Sequence, residues 1–348
     1  MNAPLLHFGE RPIGGDHPAY VIAEIGVNHN GNLELAHKLI DLAASSGADA
    51  VKFQTYVTEE LILPQARKAE YQSRNVGDGS QFDMLKEYEL PFSAFVELKA
   101  HCDRIGIDFI STAFDAPSLE FVVSLDPVCL KWASGEMTNK PLLDLAGRSG
   151  LPIILSTGMS TFEEIVAARS WLGNDVPVVI LQCVSNYPAA IEDQNLRVLP
   201  VLQQHFQCPV GFSDHTAGPH AALVARALGM AVLEKHFTMD AGMPGPDHSA
   251  SLEPDAFQNL VTLLRQVEAG LGDGVKRPRE VEMDVRAVAR KSLVYRRALA
   301  EGHVLGPGDL TAKRPGGGVA PECYDRFVGQ RLATSVSKDQ MVSDVDVA

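Results

Sequence analysis

Basic residues are scarce in this chain of 348 residues. Lys and Arg total 30 against 44 Asp and Glu, a formal net charge of −14. A nucleic-acid binder would carry a basic stripe, so no nucleic-acid partner is expected. An anionic ligand would need a local island of positive charge or a metal. Cysteine is sparse as well: Cys102, Cys129, Cys183, Cys208 and Cys323 are scattered, odd in number and without a CxxC pair. That pattern argues against a disulfide scaffold or a cysteine zinc site and favours a reducing compartment. No run of about 18 apolar residues exists, so no transmembrane helix is expected. The N-terminal MNAPLLHFGERP lacks a basic segment followed by an apolar run, so no secretion signal and a cytoplasmic location are expected. Repeats of 20–50 residues and low-complexity tracts are also missing. What remains, 45% hydrophobic and 21% charged residues, is the composition of an ordinary globular protein.

Eight short apolar runs recur along the first two-thirds of the chain. They begin at Tyr20, Ala50, Asp108, Val128, Pro152, Val178, Pro209 and Ala231. Helical patterns fill the intervals, as at Leu33–Ser46, Pro91–Ile105, Thr161–Trp171 and Ala217–Leu228. Gly47, Gly106, Gly150 and Gly229 stand where a helix C-terminus expects glycine. Eight strand–helix units in ~250 residues predict a (β/α)8 barrel. A doubly wound sheet is the alternative, but Gly26-Val-Asn-His-Asn-Gly31 is not its G-x-G-x-x-G loop. The interval from Phe53 to Asp108 is long, and its polar stretch Tyr71–Ser80 reads as a loop over the ligand face. The periodicity stops near Gly270. The predicted organisation is a barrel over 1–270, a Gly/Pro/charge-rich linker over 271–285 and a small β-rich module over 286–348. Roughly sixty residues are close to the lower limit for independent folding, so the module is expected to lean on a neighbour.

Barrel enzymes carry their chemistry at the C-terminal ends of the strands. Reading those ends in order gives Glu24; Lys52 and Gln54; Ser111 and Thr112; Lys131, Ser134 and Glu136; Ser156 and Thr157; Ser185, Asn186 and Tyr187; Ser213, Asp214 and His215; Glu234, Lys235 and His236. Two lysines among hydroxyl donors suit a phosphate, or a phosphate with a carboxylate. His215 and His236 on adjacent strands could share one divalent metal. Glu24 and Glu136 are candidates for acid/base work. The structural alternatives are an ion-pair ring for the lysines and glutamates, satisfied core histidines, and helix caps for Ser160 and Thr161. Glu234 and Lys235 have the option of facing the helices.

These segments resemble the sialic acid synthase (NeuB-type) family. The matching runs are Ala23–Gly31, Ala50–Thr55, Ser111–Phe114, Lys131–Glu136, Ile154–Met159, Gly211–Thr216, Glu234–Thr238, Gly245–His248 and Lys313–Gly316. The tail resembles the antifreeze-like SAF module of that family. The resemblance implies a transferase that condenses phosphoenolpyruvate with an N-acetylated hexosamine, N-acetylmannosamine first, to a nonulosonic acid plus phosphate by C–O cleavage. A 2,4-diacetamido-2,4,6-trideoxymannose acceptor, giving a legionaminate-type product, is the alternative. It further implies Mn2+ or Mg2+ on His215 and His236, and phosphoenolpyruvate on Lys52, Thr112, Lys131, Ser134, Ser156, Ser185 and Ser213. The sugar would be held by Gln54, Asn75, Tyr187, Asp247 and Arg314, the last across a domain-swapped homodimer. Glu136 would act on water, with Glu24 assisting. Val184 stands where many members have Thr, and Pro315-Gly-Gly-Gly-Val-Ala-Pro321 departs slightly from the module's motif. Readings outside the class are a non-catalytic binding protein built on the SAF module, and a metal-independent Schiff-base aldolase using Lys131.

Overall fold

A computed structural model describes residues 4–348. The chain divides into two compact units, Met1–Gly272 and Asp273–Ala348. The first opens with an antiparallel hairpin of β1 (Leu5–Phe8) and β2 (Arg11–Gly14), which the sequence reading did not foresee. Eight parallel strands then close into a barrel: β3 (Tyr20–Gly26), β4 (Ala50–Thr55), β5 (Asp108–Ala113), β6 (Leu130–Trp132), β7 (Ile153–Ser156), β8 (Val178–Cys183), β9 (Val210–Asp214) and β10 (Met230–His236). β10 pairs back onto β3 and removes every free edge. The expected (β/α)8 barrel is the observed fold.

The helices follow in order. α1 is Leu33–Ser45, and α2 (Thr58–Leu61), α3 (Glu70–Val76) and α4 (Gln81–Tyr88) lie in the interval read as a long loop. Next come α5 (Phe92–Ile105), α6 (Ala116–Ser124), α7 (Lys140–Gly147), α8 (Phe162–Leu172), α9 (Val198–Phe206), α10 (His220–Ala227) and α11 (Pro254–Leu271). Thr161 caps α8 in a reciprocal box with Glu164, the role its sequence position suggested.

Strand periodicity makes the barrel wall two-sided. Val21, Ala23 and Ile25 point outward and pack under the helices. Tyr20 and Ile22 point inward and meet Ala50, Ile110, Cys129, Ile154, Val179, Leu181 and Val232. Phe8 and Ile13 of the hairpin join this inner cluster, and the Phe8 ring meets Tyr20 edge-on at 5.2 Å. The hairpin therefore stoppers the N-terminal end of the barrel with side chains worth roughly 1.5–3 kcal/mol each when buried. One step further along each strand the inward residues change character. Ile22 is followed by Glu24, Ala50 by Lys52, Ile110 by Thr112, Cys129 by Lys131, Ile154 by Ser156 and Val232 by Glu234. The apolar plug at one end thus becomes a polar floor at the other.

The second unit contains α12 (Met283–Ala289), the antiparallel pair β11 (Ser292–Tyr295) and β12 (Leu310–Lys313), and α13 (Tyr324–Phe327). Its own core gathers Leu293, Tyr295, Leu305, Leu310, Phe327, Leu332 and Val342. Tyr295 donates to Asp346 at 3.2 Å inside it. No helix among the described residues is long and apolar enough to cross a membrane.

Candidate active site

A cavity of about 490 Å3 opens at the C-terminal end of the barrel, a size ordinary for small-ligand sites. Its floor is the ring of inward strand ends. Lys52 stands between two carboxylates, with Glu24 and Glu234 each 3.2 Å away. Lys131 lies 3.5 Å from Glu234. Ser213 donates to Glu234 at 2.9 Å, Gln54 donates to Glu24 at 3.1 Å, and Lys52 reaches Thr112 at 3.4 Å. All four charged groups are buried. The ion-pair reading and the ligand-site reading are therefore both realised: the lysines are paired with glutamates, and the whole network lines the cavity.

Burial would push both carboxyls up, but the cations divide unequally. Glu24 sits above the usual carboxylate range, because burial and the neighbouring Glu234 outweigh Lys52. Glu234 is also buried, yet Lys131, Lys52 and the Ser213 hydroxyl hold it below that range. Burial lowers Lys131, whereas the two glutamates hold Lys52 above its ordinary value despite burial. Two carboxylates with pKa values driven apart in one cavity are the usual arrangement for separate acid and base tasks.

A cradle of small groups lies beside the lysines. Gly158 donates its N–H to the Ser134 hydroxyl at 2.8 Å. A Cβ on Gly158 would stand 2.3 Å from Ser185 Oγ and 2.9 Å from Ser134 Oγ. Ser156 Oγ is buried without a hydrogen-bond partner. One buried, unpaired hydroxyl beside two partly exposed ones, packed around a glycine too crowded for a side chain, is an arrangement that a bound oxyanion would satisfy.

His215 and His236 lie side by side with ring centroids 5.4 Å apart, and Tyr187 packs on both, at 4.1 and 5.4 Å. His215 Nδ1 bonds the Val184 carbonyl at 2.7 Å, which leaves Nε2 facing Ser213 at 3.4 Å. His236 Nδ1 is buried and unpartnered. Burial pushes His236 well below the normal histidine range, so it is neutral and able to donate a lone pair. Among the described residues no group of three or more His, Cys, Asp or Glu converges on one point.

The far wall comes from the β4–β5 interval and the loop after β10. Tyr71 of α3 packs against Tyr187, the rings tilted by 31° with centroids 5.0 Å apart. Gln72, Gln81, Met84, Leu85 and Tyr88 line the cavity from α3 and α4, and Asp247 lines it from the loop. Burial raises Asp247 to about 6. The Asn28-His29-Asn30 run fastens that loop. Asn28 donates to the Phe237 carbonyl and to Ser251 Oγ, both at 2.9 Å, and Ser251 donates to the Asp247 carbonyl at 2.7 Å.

Most of the expected site residues meet here: Glu24, Lys52, Gln54, Thr112, Lys131, Ser134, Ser156, Ser185, Tyr187, Ser213, His215, His236 and Asp247 all line one cavity. Three do not. Glu136 lies in a turn after β6, outside the lining, with its carboxylate accepting from Asn139 at 2.7 Å. Asn75 also stays outside the lining, because its amide donates to the Pro246 carbonyl at 2.6 Å and to Ser249 at 3.2 Å. It latches α3 to the Asp247 loop. Arg314 is an exposed residue of the second unit and donates to the Ala289 carbonyl at 3.1 Å. Conversely, Glu234 is central to the floor. Residues two apart on a strand share a face, so placing His236 inward also places Glu234 inward. Lys235 alternates outward and pairs with Asp214 at 2.9 Å.

Known proteins share this architecture and sequence. The NeuB family model matches residues 39–276 and the SAF domain model residues 290–348. The chain is 43% identical over 336 residues to the N,N'-diacetyllegionaminic acid synthase of Legionella pneumophila, covering 94% of each chain. It is 40% identical to the protein of the same name from Campylobacter jejuni, covering 93% of this chain and 98% of that one. The solved N-acetylneuraminic acid synthetase of Leptospira borgpetersenii superposes with a TM-score of 0.73 at 35% identity, over 82% of this chain and 95% of that one. With family models, relatives and fold in agreement, this chain belongs to the NeuB family of sialic, legionaminic and pseudaminic acid synthases and carries a C-terminal SAF domain.

Proposed function

We propose that the protein is a cytoplasmic synthase that joins phosphoenolpyruvate to an N-acetylated amino sugar, giving a nonulosonic acid and phosphate. The observation that carries this is the floor: two buried lysines beside a cradle of hydroxyls, with two carboxylates of opposite pKa displacement. Lys52 and Lys131 fit the phosphate and carboxylate of phosphoenolpyruvate, with Thr112, Ser134, Ser156 and Ser185 donating to their oxygens and Ser213 beside them, its own proton held by Glu234. As acceptor, 2,4-diacetamido-2,4,6-trideoxymannose is placed ahead of N-acetylmannosamine. The two relatives at 43% and 40% identity bear the legionaminic name, against 35% for the N-acetylneuraminic acid synthetase.

His215 Nε2 and the orphaned nitrogen of His236 fit a divalent metal as two of its ligands, leaving positions for water and substrate. Mn2+ or Mg2+ bound there would supply Lewis-acid polarisation of the acceptor carbonyl. C3 of phosphoenolpyruvate forms the new bond to the acceptor aldehyde carbon, whose oxygen takes a proton. Water adds at C2 and loses a proton. The bond from C2 to the bridging oxygen then breaks, phosphate leaving with that oxygen and the electron pair as the C2 hydroxyl gives up its proton and becomes the keto group. Glu24 is assigned the proton from water, since burial keeps its pKa high enough for a base near neutral pH. Glu136 is the alternative base, but its carboxylate is turned to Asn139. Glu234 stays ionised and holds both lysines in register. Gln54, Tyr187 and Asp247 line the acceptor side, and Asn75 supports it by fixing the Asp247 loop.

The reading also carries the division into a barrel over 1–270, a linker over 271–285 and a SAF module over 286–348. It includes a domain-swapped homodimer in which Arg314 serves a second copy's acceptor site. Exposed Val281, Val285 and Val288 around α12 support such a pairing.

The test is phosphate release from phosphoenolpyruvate with each sugar, with manganese and then with excess EDTA. Acceptor-dependent release abolished by EDTA and by His236→Ala is expected. Glu24→Gln should abolish it while Glu136→Ala retains it; the reverse would return the base role to Glu136. Release with neither sugar from folded, metal-supplied protein would overturn the synthase reading in favour of a binding protein. Borohydride trapping of pyruvate on Lys131 without metal would support the aldolase instead.

A further inference from the structure

The far wall of the cavity has a composition that the floor chemistry does not use. Gln81, Met84, Leu85 and Tyr88 are spaced i, i+3, i+4 and i+7, so one face of α4 points into the cavity. Phe114 and Val27 continue the same surface, and Met84, Tyr88, Val27 and Tyr56 form a small cluster of their own. Met84 is buried and Leu85 half-buried, and the Tyr56 hydroxyl fixes the backbone by donating to the Leu85 carbonyl at 3.0 Å. The lysines that line the cavity, Lys52 and Lys131, both sit on the floor and are engaged by Glu24 and Glu234.

A polyhydroxylated sugar end needs a donor or acceptor for each hydroxyl, and Met84, Leu85, Phe114 and Val27 offer only the weak thioether acceptor of Met84. Such a surface suits methyl groups. Next to it stand two amides, Gln81 donating to Gln72 at 3.4 Å, together with Tyr71, Tyr88 and Asp247, and all five line the cavity. An acetamido substituent presents one N–H, one carbonyl and one methyl, which matches an amide pair beside an apolar wall.

We propose that Met84 and Leu85 are specificity-determining residues, forming an apolar seat on α4 for a methyl-bearing substituent of the acceptor. The seat favours a deoxy, acetamido-substituted sugar over one ending in a hydroxymethyl group. This rests on the synthase reading above. A pocket contact with a single methyl typically discriminates by about 10-fold or more.

The experiment compares kcat/KM for 2,4-diacetamido-2,4,6-trideoxymannose and N-acetylmannosamine in the metal-loaded full-length protein and its Leu85→Gln, Met84→Gln and Met84→Leu variants. The expected result is a fall of about 10-fold in the ratio for Leu85→Gln and Met84→Gln, mainly through the KM of the deoxy sugar. Met84→Leu should keep the ratio, and the KM for phosphoenolpyruvate should hold throughout. If Met84→Gln fails to fold, Leu85→Gln decides, because its side chain is only half-buried. An active Leu85→Gln with an unchanged ratio overturns the proposal and leaves the synthase reading intact. Failure of the unmodified protein on both sugars overturns the synthase reading, and this proposal with it.

Discussion

The two sides of the cavity are built by different means. The floor is made of strand ends held in a closed hydrogen-bonded ring, where each side chain's direction is set by the two-residue period. The wall is made of two short helices, α3 and α4, and one loop, held by side-chain contacts such as Asn75 to Pro246 and Tyr71 against Tyr187. The floor is charged, buried and rigid. The wall is mostly amide and apolar. A barrel thus keeps the reacting groups on its stiffest elements and leaves substrate choice to segments that can change without disturbing the ring.

Substitutions on the floor should have the largest effects. Gly158→Ala puts a methyl into the space between Ser134 and Ser185, and Lys131→Met removes a buried cation beside Glu234. Each should lower kcat/KM for phosphoenolpyruvate by about 10²–10³-fold, the usual cost of losing one preorganised anion donor, while the acceptor KM changes less. Steady-state phosphate release measures this. Comparable losses in acceptor KM would show that floor and wall are not separable. On the wall, Asn75→Ala removes the latch to the Asp247 loop. A hydrogen bond of about 1 kcal/mol predicts a roughly 5-fold rise in acceptor KM, with the KM for phosphoenolpyruvate unchanged. An equal rise in both would place the latch's influence on the floor as well.

The smallest effect concerns stability. Burial raises the Asp247 carboxyl to about 6. Its folded-state pKa therefore lies above the unfolded value of roughly 4. Below pH 4 both states are protonated and no penalty arises. Between about pH 4 and 6 the unfolded state ionises first, so the folded protein loses stability as pH rises. Asp247→Asn should then be more stable than the unmodified protein at pH 7, on the order of 1–3 kcal/mol, and equal to it near pH 4. Thermal melts across that range check the sign. Lower stability at pH 7 would mean that the carboxylate is needed to hold the loop.

The same contrast explains what the sequence made legible. Strand ends could be read because a parallel barrel places every one of them at a single face, so Lys52, Thr112, Lys131, Ser156 and Ser213 were identified without their contacts. The sequence alone leaves the face of Glu234 open, because Glu234-Lys235-His236 are all polar and a period of two needs a phase before it assigns a face. His236 supplied that phase. The family resemblance implies Asn75 against the sugar, whereas in the structure its amide donates to a carbonyl 171 positions away, a pairing no local pattern encodes. Glu136 follows the three-residue strand β6 in a 3-10 turn, where strand alternation no longer sets direction. The helices α2 to α4 are four to eight residues long, too short for a periodicity to stand out from a polar loop. The N-terminal hairpin escaped for a similar reason: it is two four-residue strands around Gly9 and Glu10.

In the proposed reaction this cavity condenses phosphoenolpyruvate with an amino sugar by breaking the C–O bond. Phosphoenolpyruvate labelled with 18O at the bridging oxygen tests it most directly. The label should leave entirely in inorganic phosphate, and only when the acceptor sugar and metal are present. Label retained in the keto acid, or phosphate released equally without acceptor, would contradict it.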